Sequence, residues 1–236
     1  MVITGGFTNY GQQLGVLMLD TVFPRLPGDI GNAASFDFPV KYLVVQGALP
    51  QLVNGTEPQR DLLPLFIEAA RKLEKEGVRA ITTSCGLLAA FQVELAAAVS
   101  VPVFTSTLML VPFCYQLGGK RKPVGILTIK EKSLSPRQCL GAGWSQDDIP
   151  VCIQGMDKQR HFTEVYAENG TQLNIENLES EVREATEQLI RDNPDIGSIV
   201  LECTNLAPFS PLIRQVSGRP VFGMDELVRF IYRCTR

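Results

Sequence analysis

The chain is predicted to be an α/β protein of two similar Rossmann-like or flavodoxin-like parallel-sheet halves. Three observations lead there. Short apolar runs alternate with amphipathic stretches along the chain, the pattern of parallel strands covered by helices. The stretch Ala80–Phe104, AITTSCGLLAAFQVELAAAVSVPVF, is copied 118 residues later as SIVLECTNLAPFSPLIRQVSGRPVF. The earlier elements repeat in the same order, with offsets of 110 at the first strand and 108 after the second. At the 118-residue offset Ile81 matches Ile199, Cys85 matches Cys203 and Phe91 matches Phe209, and Pro102–Phe104 match Pro220–Phe222. The two halves are expected to be related by a pseudo-two-fold axis, with residues 1–115 and 214–236 in the first lobe and 116–213 in the second.

Each element has its local reason. Leu14–Leu19 reads as a buried strand ending at Asp20–Thr21, and the Pro- and Gly-rich segment FPRLPGDIGN after it reads as a loop. Val40–Val45 is a second strand closed by Gln46–Gly47. A helix opens at Asp61 and runs to about Glu76, with Leu62, Leu65, Phe66, Ala69 and Leu73 on one face. Pro64 falls in its first turn, where a missing N–H costs little, and Gly77 stops it. Val78–Ser84 forms the third strand, followed by Cys85, a helix over Leu87–Val99 and a strand at Val101–Thr105. After the polar hinge Gly118–Pro123 the order restarts with strands at Val124–Ile129 and Pro150–Ile153. Leu178–Asp192 is an amphipathic helix with Leu178, Val182, Ala185 and Leu189 inward. The strand Ile196–Glu202, Cys203 with its helix, the strand start Val221–Phe222 and a helix over Glu226–Arg233 complete the chain.

Composition removes several function classes. Over 236 residues, 45% are apolar and 20% charged, the balance of a globular protein. A net charge of −3 without a basic run gives no nucleic-acid footprint. No apolar run is long enough for a membrane span, and the N-terminus lacks a signal-peptide pattern. The six cysteines include no C-x-x-C pair, and with His161 as the one histidine no zinc-type spacing exists. A cytoplasmic protein with reduced thiols, no metal and no cofactor is the expectation. Neither a dinucleotide fingerprint nor a phosphate loop is present.

The repeated cysteines carry the chemistry. Both follow a strand directly, at the carboxyl ends where open α/β sheets bind ligands, and a pseudo-two-fold brings them face to face across the cleft. An ordinary thiol titrates at about 8.5, and helix N-terminal amides favour its thiolate. The same amides, at Gly86–Leu87 and Thr204–Asn205, suit a substrate carboxylate.

These residues resemble the aspartate/glutamate/hydantoin racemase superfamily over nearly the whole chain, from Leu14 to Ile231. The resemblance is carried by Cys85-Gly86, by Cys203-Thr204-Asn205 and by Asp20-Thr21. It implies a cofactor-independent racemase of amino acids or their derivatives, in which Cys85 and Cys203 exchange the α-proton on opposite faces. It also implies that Asp20 orients or deprotonates a cysteine, and that Thr21, Gln46 and Gly47 belong to substrate loops beside Gly86, Leu87, Thr204 and Asn205. The implied partner is a small carboxylate substrate, and a homodimer is left open. Two departures stand out: Gly86-Leu87 replaces the Asn-Thr usual in glutamate racemases, and Asn205 stands where they often carry histidine.

Other readings remain open on the same residues. A decarboxylase or cis–trans isomerase would use the same scaffold, although family decarboxylases generally keep only the second cysteine. A binding protein without turnover and a thiol redox sensor are further alternatives. Arg25 and Arg60 are candidates for a side-chain carboxylate, with an Arg25–Asp29 ion pair the competing role. Glu202 stands beside Cys203, where a carboxylate would oppose the thiolate. His161 reads as a surface residue.

Overall fold

A computed structural model describes residues 2–55 and 59–235. The strands are β1 (Leu14–Met18), β2 (Val40–Val44), β3 (Ala80–Thr83), β4 (Val103–Phe104), β5 (Val124–Thr128), β6 (Val151–Gly155), β7 (Ser198–Leu201) and β8 (Val221–Phe222). The helices are α1 (Leu63–Lys75), α2 (Gln92–Ala98), α3 (Val111–Leu117), α4 (Pro136–Gly141), α5 (Arg160–Phe162), α6 (Ile175–Asp192), α7 (Ser210–Ser217) and α8 (Met224–Thr235).

Two four-stranded sheets form, in the orders β2-β1-β3-β4 and β6-β5-β7-β8, and every pairing is parallel. Register repeats between them. Leu14 pairs with Val40 and Ala80, and Val124 pairs with Val151 and Ser198. Ile81 pairs with Val103 as Ile199 pairs with Val221. The central strands β1, β3, β5 and β7 are buried along their whole length, with Thr82, Thr83, Thr128 and Ser198 buried among their apolar residues. In each sheet the chain reverses direction of travel between the first and third strands, so a ligand-binding crevice opens at the carboxyl ends of β1/β3 and β5/β7.

The halves exchange a helix. Val111 and Cys114 of α3, which follows the first sheet, pack with Val124, Ile126 and Val200 of the second. Met224, Leu227 and Val228 of α8, which follows the second sheet, pack with Leu14, Val16 and Ala80 of the first. The boundary expected at 115/116 therefore falls too late, because α3 covers the second sheet. The boundary at 214 falls too early, because β8 still belongs to that sheet. Apolar faces on α3 and α8 reveal that each helix is buried, but not against which sheet.

The helix expected to begin at Leu87 is a tight 3-10 turn over Gly86–Phe91, and only Gln92–Ala98 is α-helical. Its counterpart is the turn Thr204–Phe209 ahead of α7. The amide of Leu88 bonds to the Cys85 carbonyl and that of Leu206 to the Cys203 carbonyl, at 3.1 and 3.0 Å. Each i→i+3 bond draws the chain tightly off the strand end. Gly86 through Phe91 are all buried, so the tighter winding fits the space between the halves.

Candidate active site

Both cysteines open onto one cavity between the sheets, with Ser84, Gly86, Thr204 and Asn205 beside them. The loops after β1 and β2 add Leu19, Phe23, Arg25, Pro50 and Asn54, and the second half adds Ile129 and Tyr166. The cavity's empty space, counted together with the mouth that opens to solvent, is about 350 Å³.

Hydrogen bonds across the cleft tie its walls together. Thr204 Oγ1 donates to the Ser84 carbonyl at 2.8 Å, tying the second cysteine loop to the first. Asn205 Nδ2 donates to Asp29 Oδ2 at 2.7 Å, and Ser133 Oγ donates to the Asn54 carbonyl at 2.7 Å. The Val22 amide donates to Asn169 Oδ1 at 2.8 Å.

The two thiols differ in surroundings. Cys85 is half-buried and Cys203 is 6% exposed; all six cysteines are free thiols. Burial pushes the Cys85 thiol up to about 12, and the Glu202 charge pushes the same way. The Leu87 and Leu88 amides and the Arg25 guanidinium oppose them. Burial and then Glu202 hold the Cys203 thiol well above its ordinary range, with further upward push from Cys85 and Asp29 and one opposing amide, that of Asn205. The Cys203 thiol donates to Asn205 Oδ1 at 3.6 Å, which is a contact of the neutral form.

A polar chain leads away from Cys203. Asn205 meets Asp29, which is 1% exposed, and Asp29 Oδ1 accepts from Arg25 Nη1 and from the Gly31 amide at 2.6 and 2.7 Å. Arg25 Nη2 donates to Thr21 Oγ1 at 3.0 Å, and the guanidinium lies 4.5 Å from the centre of the Phe23 ring. Of the two roles foreseen for Arg25 the ion pair with Asp29 is present, and its side chain also lines the cavity. Phe23 in turn packs edge-on against Tyr166, with ring centres 5.1 Å apart.

The structure brings Cys85, Gly86, Cys203, Thr204 and Asn205 together at the cavity. The remaining candidates lie elsewhere. Asp20 Oδ2 accepts the Gly47 amide at 3.0 Å and its own amide bonds to the Ala48 carbonyl, so Asp20 fixes the turn after β2. Gly47 takes a left-handed φ of 77° there, and Gln46 and Gly47 are exposed. Thr21 touches the site through Arg25, and Leu87 contributes its amide to Cys85 while its side chain is in the core. His161 is partly exposed and its Nδ1 lies 3.7 Å from Glu164.

Tyr166 escaped sequence reasoning because the segment DKQRHFTEVY reads as polar. Its signal was the spacing of Phe162, Val165 and Tyr166, one helical face, which the structure places on α5 and a following π-helical turn over Thr163–Ala167. Such turns are frequent at functional sites.

The geometry now meets comparison with known proteins. No protein-family model matches the chain. Among solved structures it resembles unliganded arylmalonate decarboxylase, with a TM-score of 0.56 and 14% identity over 94% of this chain and 92% of the other. It also resembles an aspartate racemase homologue from Pyrococcus horikoshii, with a TM-score of 0.56 and 15% identity over 95% and 99%. Glutamate racemase from Francisella tularensis, in complex with D-glutamate, matches with a TM-score of 0.56 and 16% identity over 95% and 81%. The chain shares its fold with these racemases and the decarboxylase, the fold that the resemblance implied.

The curated relatives correct the activity. A dimethylsulfoniopropionate lyase of Durusdinium sp. clade D is 32% identical over 227 residues, covering 93% of this chain and 74% of that protein. Dimethylsulfoniopropionate lyase 6 of Emiliania huxleyi is 30% identical over 216 residues, covering 89% of this chain and 56% of that protein. The expected racemase, an isomerase of amino acids, is overturned by these relatives, which are named for a lyase activity. The paired cysteines alone did not tell a lyase from an isomerase. The chain belongs to the family of dimethylsulfoniopropionate lyases.

Proposed function

We propose that the protein cleaves dimethylsulfoniopropionate, or a closely similar β-sulfonium carboxylate, by β-elimination. The carrying observation is the pair of free thiols on one cavity that also holds an arginine and an aromatic pair. A thiolate removes the proton α to the carboxylate. The C–H electron pair becomes the carbon–carbon double bond, the carbon–sulfur bond breaks, and its electrons leave with sulfur as dimethyl sulfide. The other product is acrylate, and the abstracted proton rests on the thiol until solvent takes it.

The surroundings assign roles. Cys85 is the base: it has two amides and Arg25 to support an anion, whereas Cys203 is the more buried and donates as a neutral thiol to Asn205. The substrate carboxylate is held by Arg25 and by the Gly86, Thr204 and Asn205 loop ends. Its sulfonium group rests near Tyr166, because Arg25 already covers Phe23. A bound sulfonium also lowers the thiol's cost of ionising, since an opposite charge nearby favours the anion. Substrate binding thereby generates its own base in a site that keeps both thiols protonated when empty.

Incubation of the purified protein with dimethylsulfoniopropionate, followed by gas chromatography for dimethyl sulfide and NMR for acrylate, tests this. Equal amounts of the two products are expected. No release at millimolar substrate, with the fold intact by circular dichroism, would falsify the proposal.

A further inference from the structure

Glu202 is a buried carboxyl for which the elimination has no use. It is 1% exposed, at the end of β7 and directly before Cys203. Its Oε2 accepts from Thr128 Oγ1 at 2.6 Å, and the Ile129 amide also donates to the carboxylate. Its other oxygen leans on the first half. A Cβ built on Gly86 would lie 2.5 Å from Glu202 Oε1 and 2.2 Å from the Glu202 carbonyl oxygen, with Ser106 Oγ at 3.0 Å. The carboxyl therefore reaches from the neighbour of one cysteine to the neighbour of the other, and the absence of a side chain at position 86 makes room for it.

No ion pair among the described residues involves Glu202. Its donors are a hydroxyl and an amide, which are neutral, its oxygens face Gly86, and Cys203 follows it directly in the chain. Arg25 supports Cys85, Asp29 opposes the Cys203 thiolate, and the Tyr166 phenol feels both Asp29 and Cys203.

We propose that Glu202 is a positioning residue for the cysteine pair, acting through its proton: while its carboxyl is neutral a thiolate can form beside it, and once it is charged the thiols stay protonated. The cause is like-charge repulsion in a site that water barely enters. Two anions so close cannot both form at ordinary cost, as in paired carboxylates that share one proton. Burial lifts Glu202 to about 7, against the partial opposition of Thr128 and Ile129. Its charge is the second largest influence raising each thiol, after burial. Like-charge repulsion favours a single negative charge among the three groups, and a sulfonium placed beside the thiols shifts that charge onto sulfur.

The inference rests on the cysteine-pair reading, so its test reports on the thiols without turnover. Iodoacetamide labelling of Cys85 and Cys203 is followed peptide by peptide by mass spectrometry, from about pH 6 to about pH 10. Glu202→Gln keeps the size and removes the charge. Its labelling profile is expected to move to lower pH by about one unit, a roughly tenfold faster reaction near pH 8. Glu202→Asp, which restores a carboxylate, should return the profile towards the parent. If the Gln variant folds poorly, Thr128→Val serves instead: losing the hydroxyl keeps Glu202 neutral to higher pH and should speed labelling in the same direction. Labelling profiles identical to the parent in a folded Gln or Val variant overturn the proposal. A purely structural role would lower the melting temperature without moving the profile. Loss of lyase activity in the parent assay would sink the elimination and leave this outcome standing.

Discussion

Cys85-Gly86-Leu87 and Cys203-Thr204-Asn205 occupy equivalent places in the two halves, on strands of the same register, yet they hold their sulfurs differently. In the first half the place of a side chain at Gly86 is taken by Glu202, and the thiol is half-buried beside two amides and an arginine. In the second half threonine and asparagine fill the space, binding Ser84 and Asp29 across the cleft, and the thiol is nearly inaccessible. The duplicated backbone gives symmetry, and the loops break it. Arg25 and Asp29 come from the loop after β1, where Asp29 reaches Asn205 of the second half. A racemase that runs both ways needs two groups that trade roles. An elimination needs one base, so unequal thiols suit it better than equal ones.

The sharpest break of this comparison is to remove each sulfur in turn. Cys85→Ala is expected to lower kcat by roughly 10²–10⁴-fold, the usual worth of a positioned base. Cys203→Ala should cost less, since it removes a neutral donor. The ratio of the two losses, measured by dimethyl sulfide release, decides the assignment; the reverse order would make Cys203 the base.

Next in size is the buried link between the halves. Arg25→Met breaks a buried ion pair and leaves Asp29, 1% exposed, with only neutral donors, and about 3–5 kcal/mol of stability should be lost, read from urea unfolding. KM should rise as well, since Arg25 faces the cavity.

Glu202 gives a comparison in pH. Its folded value of about 7 lies above the ordinary 4.5, so the folded state binds this proton more tightly than the unfolded one. The contribution is full below about pH 4.5 and is lost as pH rises to about 7, lowering stability by up to a few kcal/mol. Glu202→Gln should flatten that part of the stability curve; an unchanged slope in urea titrations would place the carboxyl in a more solvated setting.

The smallest contrast is at equivalent positions 86 and 204. Gly86→Ala puts a methyl 2.2 Å from the Glu202 carbonyl oxygen and should cost about 1–3 kcal/mol through forced displacement. Thr204→Ala removes only the bond to Ser84 and should cost about 1 kcal/mol. Equal melting temperatures for the two variants would show that the first half yields as easily as the second.

Much of this was legible in the chain. The apolar runs at Leu14, Ala80, Val124 and Ser198 place the central strands, because a strand buried on both faces has no polar alternation to confuse. The offset of 118 between Cys85 and Cys203 places both sulfurs at strand ends. Local periodicity reports such facts because they depend on neighbours in sequence.

Only the tertiary structure could decide the rest. The crossing of α3 and α8 depends on which sheet lies under an apolar face, and the face carries no address. The Asn205–Asp29 bond joins residues 176 apart, and Tyr166 enters the cavity from a segment whose polar residues mask its helical spacing. Glu202 shows the same division within a single residue. Its position beside Cys203 was plain in the sequence, but its burial, its contact with Gly86 and its hold on both thiols exist only where the two halves close on each other. Charge repulsion depends on distance and on the exclusion of water, and both are set by packing between residues far apart in the chain.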